Sequence, residues 1–487
     1  MKKTGVKITS AFIALCLLFS GCKVNPASSS TSSFESQEAG SSDDSVINES
    51  NPEIVSDIAS GESSQASGND APSGSSGASS GTGGSGSTTA SSSIVSNTPQ
   101  TSSGGNKSSA LSSGGTSSML PADKGIFDNS ENAMKYRLGV TNWGGNYATG
   151  SFLSDGGLIA GSKEIEKLGS KVLKLCANDI ANSYKLDTWN EDMSTLKAVF
   201  STKQFKSAFQ MNFSTYVIVA YEQYNVGMLD GISSSEYNKV KTQFYEATKY
   251  LLNTYNNTNK TFILTNWEGD NILSYSTRTE AAINIAVEGL TQYFKARQEG
   301  VTQAQNEFGM NKDSKVKVFN ALEINRVTSS ITYKDINDGI TKAQPKLIST
   351  IVPNVPTDLI SYSSYECKDG AAFNTAEKVK NGLLNVYDII KSYSGKSKWF
   401  GDRNVMISEF GMAESYGADK HLYVAQGHVM AAQQLPLQYL VYWELWCNEF
   451  KNAGHTGPVS NSDCRGWWLI RPDGTYSAVY NYFKGLF

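Results

Sequence analysis

Histidine is almost missing from this sequence. Three occur in 487 residues, His421, His428 and His455. None has the His-x-x-x-His spacing that puts two imidazoles on one helical face around a metal, so no metal site and no zinc hydrolase is expected. His421 and His428, seven apart in an apparent helix, read as helix-surface residues. Residues 119–487 contain neither Gly-x-Ser-x-Gly nor a phosphate loop, which disfavours standard serine esterases and P-loop nucleotide chemistry. A basic excess is lacking too: that stretch carries 37 acidic and 37 basic side chains. Nucleic acid and anionic headgroups are held largely by Lys/Arg charge, so neither is an expected partner.

Aromatic residues are nearly absent from one segment and dense in the next. Between positions 27 and 118 lie 34 Ser, 13 Gly and 7 Thr in 92 residues, with Phe34 the one aromatic. Such a stretch cannot bury a core and is expected to be disordered. Residues 119–487 hold all 8 Trp, all 24 Tyr and 17 of the 20 Phe, enough for a large globular domain. Ahead of both, Lys2, Lys3 and Lys7 precede an apolar stretch from Ile8 to Phe19. Twelve residues are too few to span a bilayer, and the order of charge, apolar stretch and small residues reads as an export signal. The run Leu18-Phe19-Ser20-Gly21-Cys22 resembles a bacterial lipoprotein lipobox. That resemblance implies that Cys22 is acylated and holds the protein at the extracellular face of a cell membrane, through the lipid anchor alone. The expected organisation is a signal over 1–21, a Ser/Gly/Thr-rich tether over 22–120 reaching roughly 50–60 Å, and a folded domain over 121–487.

Within that domain, short apolar runs alternate with longer amphipathic ones. Strands are predicted over 137–142, 172–177, 215–221, 261–266, 316–322, 359–365, 404–409 and 438–443. Between them, four-three-four stripes mark helical faces that would cover a sheet: Val240, Phe244, Ala247, Leu251; Ile283, Val287, Leu290, Phe294; and Val379, Leu383, Val386, Ile390. Thr277 with Glu280 fits a capping box for the second of these helices. Eight strand–helix units in about 350 residues fit an α/β fold of one kind, a single (β/α)8 TIM barrel, whose chemistry belongs where strands end.

Two of those ends carry carboxylates. The fourth strand runs into Asn266-Trp267-Glu268-Gly269-Asp270 and the seventh into Ile407-Ser408-Glu409-Phe410-Gly411. If the fourth strand continues, Asn266 and Glu268 point one way and Trp267 the other. A carboxyl pair, one protonated and one ionised, is the apparatus of glycosidic cleavage. Burial and mutual repulsion are what set two such groups apart. Aromatic rings that pack on the C–H faces of sugars are supplied by Trp143, Trp443 and Trp446, with Trp467 and Trp468 in the last loop. Glu323, Glu444, Asn178 and Asp179 are further strand-end residues that fit either a cleft or a structural role.

Across residues 136–487 the chain resembles clan A glycoside hydrolases, the retaining (β/α)8 enzymes that include family five cellulases and mannanases. The resemblance implies that Glu409 is the nucleophile and Glu268 the acid/base, their carboxyls about 5–5.5 Å apart. It further implies a sugar hydroxyl bound by Asn266, a tyrosine, Tyr362 or Tyr365, bonded to the nucleophile, and a tryptophan, Trp443 or Trp446, flooring the sugar subsite. The substrate would be a poly- or oligosaccharide and no cofactor would be needed. One departure stands out: the clan places Asn immediately before the acid/base, whereas Trp267 holds that place here, which leaves Asp270 as an alternative acid. Of the four cysteines in the domain, Cys447 and Cys464 are the pair best placed to bridge, around one loop.

Overall fold

Strands buried on both faces read as continuous apolar runs, and here that composition closes a cylinder. The computed structural model describes residues 134–143, 156–178, 180–184, 191–224, 226–274, 277–368, 371–452, 455 and 458–487. Cys22, the signal, the tether and Asp179 lie outside them.

Eight parallel strands form a closed barrel in chain order: Leu138–Asn142, Val172–Cys176, Thr215–Val219, Lys260–Thr265, Val316–Ile324, Leu359–Ser364, Val405–Phe410 and Leu440–Tyr442. The register is continuous between the second, third and fourth strands, as in Lys174↔Val217 and Val217↔Ile263, and the eighth strand closes on the first at Gly139↔Val441. Nearly every strand residue is buried. This is the eightfold α/β barrel expected from the spacing.

The helical stripes cover it as their periodicity requires. Val240, Phe244, Ala247 and Leu251 are buried on Ser234–Thr254, and Val379, Leu383, Val386 and Ile390 on Ala376–Tyr393. Ile283, Leu290 and Phe294 are buried on Glu280–Phe308, with Val287 packed at its edge. That helix is capped by Thr279, which accepts from Ala282 N, rather than by Thr277. Thr277 belongs instead to a short strand, Thr277–Arg278, of a three-stranded accessory sheet with Thr332–Asp335 and Thr341–Ala343. The first of these strands follows the fourth barrel strand and the other two follow the fifth, where a single helical turn, Leu347–Thr350, replaces a full covering helix.

Both helix histidines point inward, contrary to the surface reading. His421 and His428 are fully buried on Ala418–Gln434. His421 Nε2 meets the Tyr442 hydroxyl, and His428 bonds Ser364 Oγ at 3.0 Å and the Val424 carbonyl at 2.8 Å. Burial pushes both imidazoles down to about 4, so they are neutral structural polar groups.

Candidate active site

The seventh strand departs from simple alternation where it matters. Its pairing with the sixth strand steps from Ile407↔Tyr362 to Glu409↔Ser363, leaving Ser408 as an extra residue, and the register against the eighth strand shifts at the same place. Such a bulge re-aims the side chains beyond it. Ser408 and Glu409 consequently reach the same interior network. The Ser408 hydroxyl contacts Glu323 Oε2 and Ser361 Oγ. Glu409 accepts from Lys174 Nζ through Oε2 at 3.0 Å and from the Tyr365 hydroxyl through Oε1 at 2.9 Å. Gly411 closes the motif for a steric reason: a Cβ there would lie 2.4 Å from the Trp443 carbonyl oxygen.

Lys174 lies in the middle of the second strand with no solvent exposure. Its ammonium bonds the Ser408 carbonyl at 3.0 Å and lies 3.9 Å from Glu323 Oε2. Burial alone would depress this ammonium, but the Glu409 and Glu323 carboxylates outweigh it and hold the group above its ordinary value. Glu323, fully buried at the end of the fifth strand, also accepts from Glu268 N through Oε1 at 2.9 Å.

The chain leaves the fourth strand at Thr265, and the next residues are laced to the fifth strand instead of continuing the pleat. Asn266 donates to the Glu323 carbonyl at 3.0 Å and accepts from Glu323 N at 2.8 Å, so both ends of its amide are spent on backbone. Glu268 then adopts φ 36°, ψ 65°, a left-handed conformation costing a residue with a side chain about 1–3 kcal/mol. The turn is held by the Glu323 carboxylate on its amide and by Tyr221, whose hydroxyl accepts from Trp267 N at 2.9 Å. Gly269 fits because a Cβ would meet Leu347 Cδ2 at 2.4 Å and the Glu323 carbonyl at 2.6 Å. The Glu268 carboxyl accepts from Ser363 Oγ at 2.9 Å and from the Asn271 amide.

Trp267, Glu268, Tyr365, Lys368, Glu409, Trp443, Glu449 and Trp467 line one open pocket of about 160 Å³. That is small beside the roughly 300–1,000 Å³ of sites enclosing drug-sized ligands, so a longer ligand would extend out of it. Trp143 packs edge-on to Trp267 and Trp443, with centroids 6.4 and 5.5 Å away, and backs the aromatic wall.

The two pocket carboxyls are in unlike surroundings. Burial, then the charge of Glu409, pushes the Glu268 carboxyl up to about 8. Glu409 is also raised by burial, but Lys174 opposes the shift by its charge and its bond, and Tyr365 by its bond. Glu268 is thus the group that keeps its proton near neutrality, and Glu409 the one whose anion is supported. Glu449, in the loop after the eighth strand, is raised by burial to about 7, against the pull of Arg465.

Several expected site residues lie elsewhere. Asn266 is fully buried and stitches the fourth strand to the fifth, which removes it from the cleft. Tyr362 turns to the other side of the sixth strand and donates to Glu366 at 2.9 Å, so Tyr365 is the tyrosine on Glu409. Trp446 is buried in the apolar core, and Trp468 donates to Glu414 at 2.6 Å. Asp270 is fully buried, accepting from the amides of Asn325 at 2.9 Å, Arg326 at 3.1 Å and Leu347 at 2.8 Å; it anchors loops and does not face the pocket. Glu444 is buried and accepts from Asn448 N.

Sequence reasoning missed Lys174, although a lysine inside VLKLC carries a usable signal, since a charge in a fully buried strand requires a partner. Trp267 was expected to face away and instead lines the pocket. Nothing in the sequence marks Lys368, Ser363 or Glu449. Among the described residues, no cluster of three or more His, Cys, Asp or Glu side chains is arranged to hold a metal ion.

No family model matches the sequence, and no curated protein matches it. Solved structures do. An exo-β-1,4-mannosidase, Op5Man5, from Opitutaceae bacterium strain TAV5 is 10% identical, with 72% of this chain covering 58% of that one at a TM-score of 0.45. A GH5_18 protein from Streptomyces cattleya in complex with GlcNAc is 10% identical over 72% of this chain and 79% of that one, with a TM-score of 0.42. A GH5-4 broad specificity endoglucanase from Clostridium acetobutylicum is 10% identical over 67% and 88%, at 0.36. The barrel itself rests on the strand order and needs none of these likenesses.

Proposed function

We propose that the protein is a glycoside hydrolase that cleaves a poly- or oligosaccharide by double displacement with retention. The observation carrying this reading is the pairing of Glu268 and Glu409 in one aromatic-walled pocket, with Lys174 and Tyr365 gripping only the second. Glu409 attacks the anomeric carbon as the bond to the leaving oxygen breaks, and Glu268 gives that oxygen its proton. In the second step Glu268 takes a proton from water, which attacks the same carbon and releases Glu409. Trp443, Trp267 and Trp467 offer faces for the sugar ring. No step calls for a cofactor. A glycan-binding protein without activity is the rival reading, and two carboxyls sharing the pocket favour hydrolysis over it.

The sequence adds a place of action: acylation at Cys22 would tether the barrel to the outer face of a bacterial membrane. Labelling with a radioactive fatty acid, lost in Cys22→Ala, tests that part.

For the reaction, purified protein is incubated with β-glucans, mannans, xylans and cell-wall glycans, with Glu409→Ala in parallel. Reducing ends released by the native protein alone support the assignment, and equal release by both places the nucleophile elsewhere. Binding without release favours the rival. Proton NMR of the first-formed anomer decides between retention and inversion.

A further inference from the structure

The chain beyond the eighth strand folds into a hairpin that supplies one wall of the pocket. Arg465 N donates to the Glu449 carbonyl at 3.0 Å and Lys451 N to the Asp463 carbonyl at 2.8 Å, while Phe450 and Cys464 form an antiparallel bridge. The Arg465 guanidinium, 3.5 Å from the Glu449 carboxylate, repeats the link at side-chain level. Glu449 on one arm and Trp467 on the other face the pocket.

Each arm also carries one buried thiol. Cys447 is 0% and Cys464 1% exposed, and the Cys447 sulfur donates to the Glu449 carbonyl at 3.3 Å. Both are free thiols in this structure, near enough for each to shift the other's acidity. Both therefore flank the Glu449–Arg465 rung from the core side. We propose that Cys447 and Cys464 form a disulfide that clamps this hairpin, fixing the wall that presents Glu449 and Trp467 to the pocket.

Bond formation is thiol–disulfide exchange with a small-molecule or protein disulfide as oxidant. The Cys464 thiolate attacks that disulfide, forming a mixed disulfide and releasing one thiolate. The Cys447 thiolate then attacks the Cys464 sulfur and displaces the second. Two protein thiols are oxidised and one external disulfide is reduced to two thiols, which take up the two protons that Cys447 and Cys464 give up. Exchange takes place as the hairpin closes, before both sulfurs are sealed from solvent.

The test uses the full chain incubated with a reduced and oxidised glutathione mixture. The protein is unfolded without reductant in iodoacetamide, digested and analysed by mass spectrometry. Peptides bearing Cys447 and Cys464 are expected joined, two hydrogens lighter than their sum, with Cys176 and Cys367 alkylated. Recovery of Cys447 and Cys464 as separate alkylated peptides, or joined to other cysteines, overturns the proposal. The clamp is read separately by hydrogen exchange at Lys451 and Arg465, which should quicken about tenfold after reduction. Cys447→Ser, which cannot close the bridge, should show the same exchange in either buffer, and its Tm should lie about 4 °C below that of the oxidised protein. Identical exchange in oxidised and reduced native protein would overturn the clamp even if the bond forms. These readouts do not depend on the reaction proposed for the pocket.

Discussion

Tyr365 and Lys174 hold the two oxygens of one carboxylate, the phenol donating to Oε1 of Glu409 at 2.9 Å and the ammonium to Oε2 at 3.0 Å. Tyr362, three residues earlier, bonds Glu366 instead. The two tyrosines should therefore separate cleanly. Tyr365→Phe is expected to lower kcat/KM by about 10–100-fold, since a hydrogen bond to a charged group contributes about 1.5–3 kcal/mol. Tyr362→Phe should leave turnover unchanged. Steady-state kinetics of the pair decides, and a loss in Tyr362→Phe matching that in Tyr365→Phe would refute the assignment.

Lys174→Met removes the cation between Glu409 and Glu323. Breaking a buried ion pair from one side costs about 3–5 kcal/mol, so urea denaturation should show a loss of that order. The acid limb of the pH–rate profile should also move upward, because Glu409 loses the partner that opposes its raised pKa.

Glu268, raised to about 8, must be protonated for the first step, and Glu409 must be ionised. The pH dependence of kcat/KM is expected to be bell-shaped with its alkaline limb near 8. In Glu268→Gln that limb should vanish, and substrates with activated aryl leaving groups should be spared most. An alkaline limb that survives the substitution would mean that Glu268 is not the acid.

Away from the pocket, Glu222 accepts from Tyr293 at 2.6 Å and is pushed up by burial to about 7. With an ordinary value of 4.5 in the unfolded chain, the folded state binds more protons between these values. Stability attributable to this group is full below about 4.5 and falls as pH rises through about 7. Melting curves across pH 4–8 should show Glu222→Gln gaining on the native protein as pH rises, and a gain in the opposite direction would contradict the burial argument.

The barrel was legible because its strands are short runs rich in apolar and aromatic residues and its helices are striped: LISYSSY and TYVIVAY read as strands without reference to any partner. Glu268 and Glu409 were legible as strand-end carboxylates. What failed were inferences that extended a period past its end. Asn266 was placed beside Glu268 on the assumption that the pleat continues, but the ladder stops at Thr265 and Glu268 turns left-handed. Tyr362 and Tyr365 leave opposite sides of a strand end, which no pattern of residue types distinguishes. Trp446 satisfies the same composition as Trp443, and only packing sends one to the core and the other to the pocket.

Ser408 gives the seventh strand one residue more than its neighbour. Remove that residue and the count becomes regular again, with Ile407 and Phe410 on the helix side and Glu409 still turned inward, and what disappears is the Ser408 hydroxyl on Glu323 and Ser361. The barrel would still close and the tryptophans would still offer a surface to a sugar. The extra residue is thus how one strand presents two inward polar side chains in succession, a buried hydroxyl beneath and a carboxylate above it.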